Sequence, residues 1–279
     1  MTAGWEPPPR IETTLRVLTW NIWWRFGPWE ARQPAILETL RQVDADVVCL
    51  QEVYETRDGE SQAAAFAEAL GFHHAYAAGL GLDIAPESLG NAILSRWPIL
   101  ATEVRSLPAP SDMNELRVVS RAEIAGPRGP FEVFCTHLNY RLDQSHVRQM
   151  QLRAICEFIA ETDAGRAYPP ILCGDLNADP RSDEIRMLTG LAAVAVDRQV
   201  FVDSWAAAGD GGEGNTWARV NPYTALDADP RDARIDHVLV GFPTEHAAGE
   251  PVGCRVVGDQ PALGVHPSDH YGVVVELRY

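Results

Sequence analysis

Short apolar or alternating runs, each closed by turn residues, recur along most of this chain. Those at 15–22 (LRVLTWNI), 46–53 (DVVCLQEV), 91–95 (NAILS), 99–107, 117–124, 131–138 (FEVFCTHL), 170–176 (PILCGDL), 235–240 (IDHVLV) and 271–277 have the length and punctuation of β-strands. Other stretches follow the 3.6-residue period of a helix: 29–43, where Ile36, Leu37, Leu40 and Val43 share a face, 61–70, and Ser145 to about Thr162. Strands dominate, with helices after the first, second and sixth. The runs 91–95 and 99–107 are too close for a helical crossover, which predicts an antiparallel pair. The whole pattern predicts a two-sheet sandwich with helices on its outer faces. Residues 1–14 read as a Pro-rich flexible tail, and no linker or repeat divides 15–279, which is predicted to be one domain with a loop-like stretch at 209–233.

Nearly every apolar run is interrupted at one end by a residue able to touch a metal or a phosphate. VLTW ends at Asn21, VVCLQ at Glu52, FEVFCT at His137 and PILCG at Asp175, followed by Asn177; Asp236 opens IDHVLV, and Ser268, Asp269 and His270 precede YGVVVEL. A carboxylate inside an apolar strand is costly unless paired or metal-bound. The cost falls if all these ends share one rim, which needs strands carrying the polar group at the C-end to run opposite to strands carrying it at the N-end. Glu52, Asp175, Asp236 and Asp269 are hard oxygen donors, with Asn21 and Asn177 as amides, a set suited to Mg2+ or Mn2+. His137 and His270 remain to move protons or stabilise an oxyanion. In an extended GDLN, Asp175 and Asn177 point to one side and Leu176 into the core. Asp269 and His270, as neighbours in an extended segment, face opposite ways, so His270 needs a carboxylate from elsewhere and Asp236 is the natural donor. The alternative partner for Asp236 is Arg234. The doublet His73–His74 and His146, His246 and His266 read as surface or loop residues, and Trp23, Trp24 and Trp29 as packing.

Composition narrows the classes. The chain has 279 residues, 46% of them hydrophobic, and a formal net charge of −16. Every basic side chain is arginine, so a P-loop lysine, a Schiff-base lysine and a lysine general base are all excluded. No apolar run approaches the ~20 residues of a membrane-spanning helix. The opening MTAGWEPPPRIETT lacks the apolar core of a secretory signal. Five cysteines without CxxC spacing, four of them in apolar segments, read as reduced core thiols and predict a cytoplasmic protein.

The stretches LTWNI (18–22), CLQEV (49–53), GNAILSRWPI (90–99), THL (136–138), GDLN (174–177), RIDHVLV (234–240) and SDH (268–270) together resemble the endonuclease/exonuclease/phosphatase superfamily of metal-dependent phosphoesterases, the DNase I-like proteins. The resemblance spans residues 15 to 277. It implies an α/β fold, a four-layered α/β/β/α sandwich of two mixed, mainly antiparallel sheets, and a divalent-metal hydrolase. Carried over by position, it makes Glu52 the principal metal ligand, with Asn21 beside it and Asp269 completing or orienting the shell. Asp175 would orient or deprotonate the attacking water, and Asn177 would hold a phosphoryl oxygen. His270, aligned by Asp236, would stabilise charge at phosphorus or protonate the leaving group. His137 would be a second phosphate-binding group, oriented by Asn91 where DNases place a Glu. Arg141, Trp217 and Asn221 are further candidates for contact with substrate, as is Asn91.

The charge bears on which ester. A long nucleic-acid track wants a basic stripe, and an acidic chain without lysine offers no obvious one. The sequence therefore predicts a small or lipid-like phosphomono- or diester as substrate. A nuclease of the same mechanism is the alternative, and a catalytically silent binding module is a remote one.

Overall fold

The computed structural model describes residues 9–80, 87–109, 116–162, 167–225, 227 and 229–279. Its strands are β1 (Thr14–Asn21), β2 (Val47–Thr56), β3 (His73–Leu80), β4 (Glu87–Ser95), β5 (Ile99–Ser106), β6 (Val118–Gly126), β7 (Gly129–His137), β8 (Ile171–Asp175), β9 (Phe201–Asp203), β10 (Asp236–Gly241), β11 (Pro251–Val257) and β12 (Gly272–Arg278). The helices are α1 (Trp29–Val43), α2 (Gln62–Leu70), α3 (Ser145–Thr162) and the short α4 (Asp183–Leu188) and α5 (Ser204–Ala208). One sheet has the order β11-β12-β1-β2-β4-β3 and the other β5-β6-β7-β8-β10-β9.

Alternation along the central strands explains why both sheet faces are apolar. Leu15, Val17, Val47 and Cys49 point between the sheets and meet Val133, Cys135, Ile171 and Cys173. Leu18, Trp20, Val48 and Leu50 point the other way, onto Ile36, Leu40 and Val43 of α1 and Phe66 of α2. Phe134, Leu172 and Leu239 turn outward onto Leu152, Ile155 and Phe158 of α3 and Ile185 of α4. A strand buried on both faces reads as a continuous apolar run, and the result is the four-layered α/β/β/α sandwich that the resemblance implied. The three longer helices lie where the 3.6-residue period placed them. Ser61 caps α2 by accepting from the Ala64 N–H, and Gly71 closes that helix in the left-handed region.

The expected pairing of 91–95 with 99–107 does not occur. β4 pairs with β2 and β3, whereas β5 pairs with β6 in the opposite sheet. Residues 96–98 are a corner between sheets: Trp97 packs edge-on to Phe131 at 6.2 Å, and the Arg96 Nε donates to Asp46 at 3.0 Å. Close spacing excluded a helical crossover but not a change of sheet. His73 and His74 are exposed, as expected, but on a strand, β3. Of the stretch expected to be a flexible tail, residues 1–8 lie outside the described residues. Thr14 already belongs to β1, Arg10 pairs with Glu250 at 3.0 Å, and the Ile11 N–H donates to the His246 carbonyl, so the described part is tied to the sandwich.

Strand direction brings the polar ends together. β1 and β2 run parallel, carrying Asn21 and Glu52 toward one rim, and β12 runs antiparallel to β1, so its N-end arrives there with Asp269 and His270. In the second sheet β7 and β8 are parallel and pair His137 with Asp175, while antiparallel β10 sets Asp236 opposite Asp175.

Candidate active site

Local backbone devices aim each group. Glu52 sits at a bulge, where residues 51 and 52 face only Asn91 between the Leu50–Ala92 and Val53–Gly90 pairs, and it adopts a left-handed φ of 54°. Strain of this kind costs of order 1–3 kcal/mol and persists where the surroundings enforce it. Here the Ile22 N–H donates to the Gln51 carbonyl and the Trp24 N–H to the Glu52 carbonyl. Gly174 lets β8 approach β7, since a Cβ there would collide with the Thr136 carbonyl. Asn177 turns into the left-handed region just after β8, its N–H on the Asp175 Oδ1 (2.9 Å) and its Nδ2 on the Leu138 carbonyl (3.0 Å).

Glu52, His137, Asp175, Asn177, Asp269 and His270 line one cavity of about 600 Å³, with Arg141 and Trp217 on its walls. Asp175 is at its centre. Its Oδ2 accepts from the Asn21 Nδ2 at 3.0 Å and lies 3.4 Å from the His137 Nε2 and 3.8 Å from the His270 Nε2. The His270 Nδ1 is 2.9 Å from the Asp236 Oδ2, and the Asp236 N–H is held by the Thr216 hydroxyl. Asp236 therefore pairs with His270. Its alternative partner, Arg234, instead binds Asp203 at 2.8 Å.

Several expectations need correcting. Asn21 Oδ1 accepts from the Trp23 N–H, which leaves Nδ2 facing Glu52 (3.3 Å) and Asp175. Asn21 thus meets the carboxylates through its amide nitrogen. Asn91 does not orient His137: its amide donates to the Val118 carbonyl, and the buried His137 Nδ1 has no partner among the described residues. Asn221 does not line the cavity but is fully buried, and donates to the Ser268 and Asp269 carbonyls, holding the SDH segment. Asp269 and His270 both face the cavity, because residues 266–269 are irregular and β12 begins only at Gly272. Trp23, Trp24 and Trp29 pack outside the cavity, Trp23 against Tyr223 at 4.8 Å.

Some contributors gave no sequence signal. Arg32, on α1 and fully buried, donates to the carbonyls of Ile22, Trp23, Trp24, Phe26 and Pro267. It ties the segment after β1 to the segment before Asp269. Arg117, just before β6, also lines the cavity. An arginine within a helix and another at a strand start resemble any solvated cation until their neighbours are known.

The electrostatics divide the site. Burial raises the Glu52 carboxyl above the usual carboxylate range, with His270 and the Asn21 amide opposing only in part. Burial also lifts Asp269, to about 7; His270 pulls it down and the Glu52 charge pushes it up. Burial alone would lower His270, but the Asp236 and Asp175 carboxylates hold it well above the ordinary imidazole value, so it is cationic at neutral pH. His137 is the opposite: burial, and then the Arg117 charge, depress it to about 3, so it is neutral and its contact with Asp175 is not an ion pair.

A family model described as the Endonuclease/Exonuclease/phosphatase family matches residues 18–270. The chain belongs to the endonuclease/exonuclease/phosphatase family. Members of this family are divalent-metal-dependent hydrolases acting on phosphoester bonds. Among relatives, the protein YbhP of Escherichia coli is 32% identical over 186 residues, covering 61% of this chain and 70% of its own. Protein angel homolog 2 of Mus musculus is 31% identical over 168 residues, 55% of this chain but only 30% of that protein. The crystal structure of an endonuclease/exonuclease/phosphatase from Beutenbergia cavernae superposes with a TM-score of 0.71 at 27% identity, covering 95% of this chain and 71% of that one.

The family's metal fits the residues present. The Glu52 Oε2 is buried with no partner among the described residues, and both carboxylates are raised by burial, Glu52 further by the Asp175 charge and Asp269 by the Glu52 charge, a donor set that a divalent cation would relieve. Among the described residues no helix is long and apolar enough to cross a membrane.

Proposed function

We propose that this protein hydrolyses a small or lipid-like phosphomono- or diester with Mg2+ or Mn2+, by in-line attack of an activated water. The observation that carries the reading is the pairing of two unlike halves in one cavity. On one side lie the carboxylates Glu52 and Asp269, both raised by burial. On the other, Asp175 stands between neutral His137 and cationic His270. Glu52 and Asp269 would hold the cation, which when bound supplies charge neutralisation at the phosphoryl group. Asp175, fixed on one oxygen by the Asn177 N–H, orients and deprotonates the water. Asn177 and neutral His137 bind phosphoryl oxygens. His270 carries the proton and charge that phosphorus demands in the transition state, its Nδ1–H directed to Asp236. Asp175, Asp236 and His270 bring ligand atoms within 4.8 Å of one another. Because the His270 Nδ1 is bonded to the Asp236 Oδ2, we assign this trio to proton handling, while Glu52 and Asp269 would serve the metal.

The small-substrate reading is supported by acids at the cavity mouth, Asp143, Asp227 and Asp229, which a polyanion track would avoid. The five buried free thiols support a reducing, cytoplasmic setting. The test is turnover of bis(p-nitrophenyl) phosphate. EDTA should abolish it and Mg2+ or Mn2+ restore it, while Glu52→Gln should be inactive under all three conditions. Turnover that survives chelation defeats the metal assignment. Cleavage of oligonucleotide DNA or RNA with an affinity that falls steeply with salt would favour the nuclease alternative.

A further inference from the structure

The loop after β7 presents two large side chains to solvent at the mouth of the same cavity. Tyr140 is 53% exposed and Leu142 59%. Exposed apolar groups on a loop are ordinarily unremarkable. Here the backbone that carries them is locked from behind by fully buried polar chemistry. The Arg148 Nη1 donates to the carbonyls on either side of Tyr140, Asn139 (3.2 Å) and Arg141 (2.7 Å), while its Nε is paired with Glu184 at 2.8 Å. The Asn139 side chain is gripped in turn by Gln144 and Gln151. Burying an ion pair is weak evidence for stability and is better explained by the geometry it enforces. What this network enforces is the position of Tyr140 and Leu142 beside the reacting centre.

The charges nearby say what the ledge receives. Three arginines, Arg117, Arg141 and Arg231, line the cavity together with Asp143, Asp227 and Asp229, and Arg231 is bonded to Asp229 at 2.8 Å. The aspartates offset the arginines in number, so beyond the reacting phosphate no second phosphate is favoured. An uncharged group is, and Trp217 and Ile235 add apolar surface to the same cavity.

We propose that Tyr140 and Leu142 form the specificity wall of the site, taking an apolar or aromatic alcohol half of a phosphodiester. This rests on phosphoester hydrolysis at the cavity. The pre-set loop lets the organic group bind without first ordering its contacts.

The experiment uses p-nitrophenyl phosphodiesters whose second ester group is methyl, phenyl or octyl, with the full-length protein and Mn2+. The wild type should show a lower KM for the phenyl and octyl esters than for the methyl ester. In Tyr140→Ala and Leu142→Ala that preference, read as the ratio of KM values, should shrink by about tenfold. Tyr140→Phe should keep it, since the ring is retained. A general loss of structure would move all the esters together. A preference unaltered in both alanine variants overturns the wall while leaving the phosphodiesterase reading standing. A wild type that hydrolyses none of the esters overturns both.

Discussion

Replacing Arg32 tests how the metal side of the cavity is held. Burial lowers the guanidinium to about 10, opposed by the Asp269, Tyr223 and Glu52 charges, so it is charged at neutral pH. Of its five carbonyl partners, Ile22 and Pro267 are bonded in fully buried surroundings, while those of Trp23, Trp24 and Phe26 are partly open to water. Arg32→Met leaves the two dry carbonyls unsatisfied at about 2 kcal/mol each, or roughly 4 kcal/mol in all. That matches the ~3–5 kcal/mol expected when one member of a buried charge arrangement is removed. Arg32→Lys keeps the charge, but its ammonium has three donors to reach five carbonyls, so about half the loss is expected. The Ile22–Phe26 and Pro267–Asp269 segments carry the backbone that fixes Glu52 and Asp269. Both variants should therefore bind Mn2+ at least tenfold more weakly, Met more so than Lys. Urea unfolding gives the stability, and Mn2+ titration followed by electron paramagnetic resonance gives the affinity, both under conditions where the variant is folded. An Arg32→Met protein within about 1 kcal/mol of wild type, with unchanged Mn2+ affinity, would refute the reasoning.

Asp236→Asn should lower kcat by a factor on the order of 10² with little change in melting temperature, because His270 loses the charge that keeps it cationic; wild-type turnover would remove Asp236 from the mechanism. His237, fully buried between Arg234 and the Ala178 carbonyl, is lowered to about 4 by burial and then by the Arg234 charge. The unfolded imidazole titrates near 6.5. Its contribution of about 3 kcal/mol is thus fully present above pH ~6.5 and is lost as the pH falls toward 4, because the unfolded state takes up the proton first. Urea unfolding from pH 7 to 4 should show this decline in the wild type and a smaller one in His237→Gln; equal declines would refute it.

How much of this was readable in the letters depended on how local the cause was. The α1 boundaries follow from periodicity, because one helix face repeats within a few residues. Glu52 and Asp175 were legible as candidates because a carboxylate against an apolar strand is anomalous wherever the strand lies. The same logic found Asp236 for His270, since a buried imidazole needs an acceptor. Asn91 and Asn221 went astray for the converse reason. An amide is satisfied by whichever carbonyl stands nearest, and Val118, Ser268 and Asp269 reach them only through the fold.

By itself, then, the sequence determined the identity of the strands at the centre of each sheet, the long helices and most of the polar side chains that gather at the cavity, all consequences of spacing and of the cost of polar atoms in apolar runs. The tertiary structure decided which sheet β5 joins, that Asn21 turns its amide nitrogen to the carboxylates, that Arg32 spans two distant segments, and that Tyr140 and Leu142 stand at the mouth. Those outcomes depend on contacts between residues far apart in the chain, where strand direction and one bulged residue choose the neighbour.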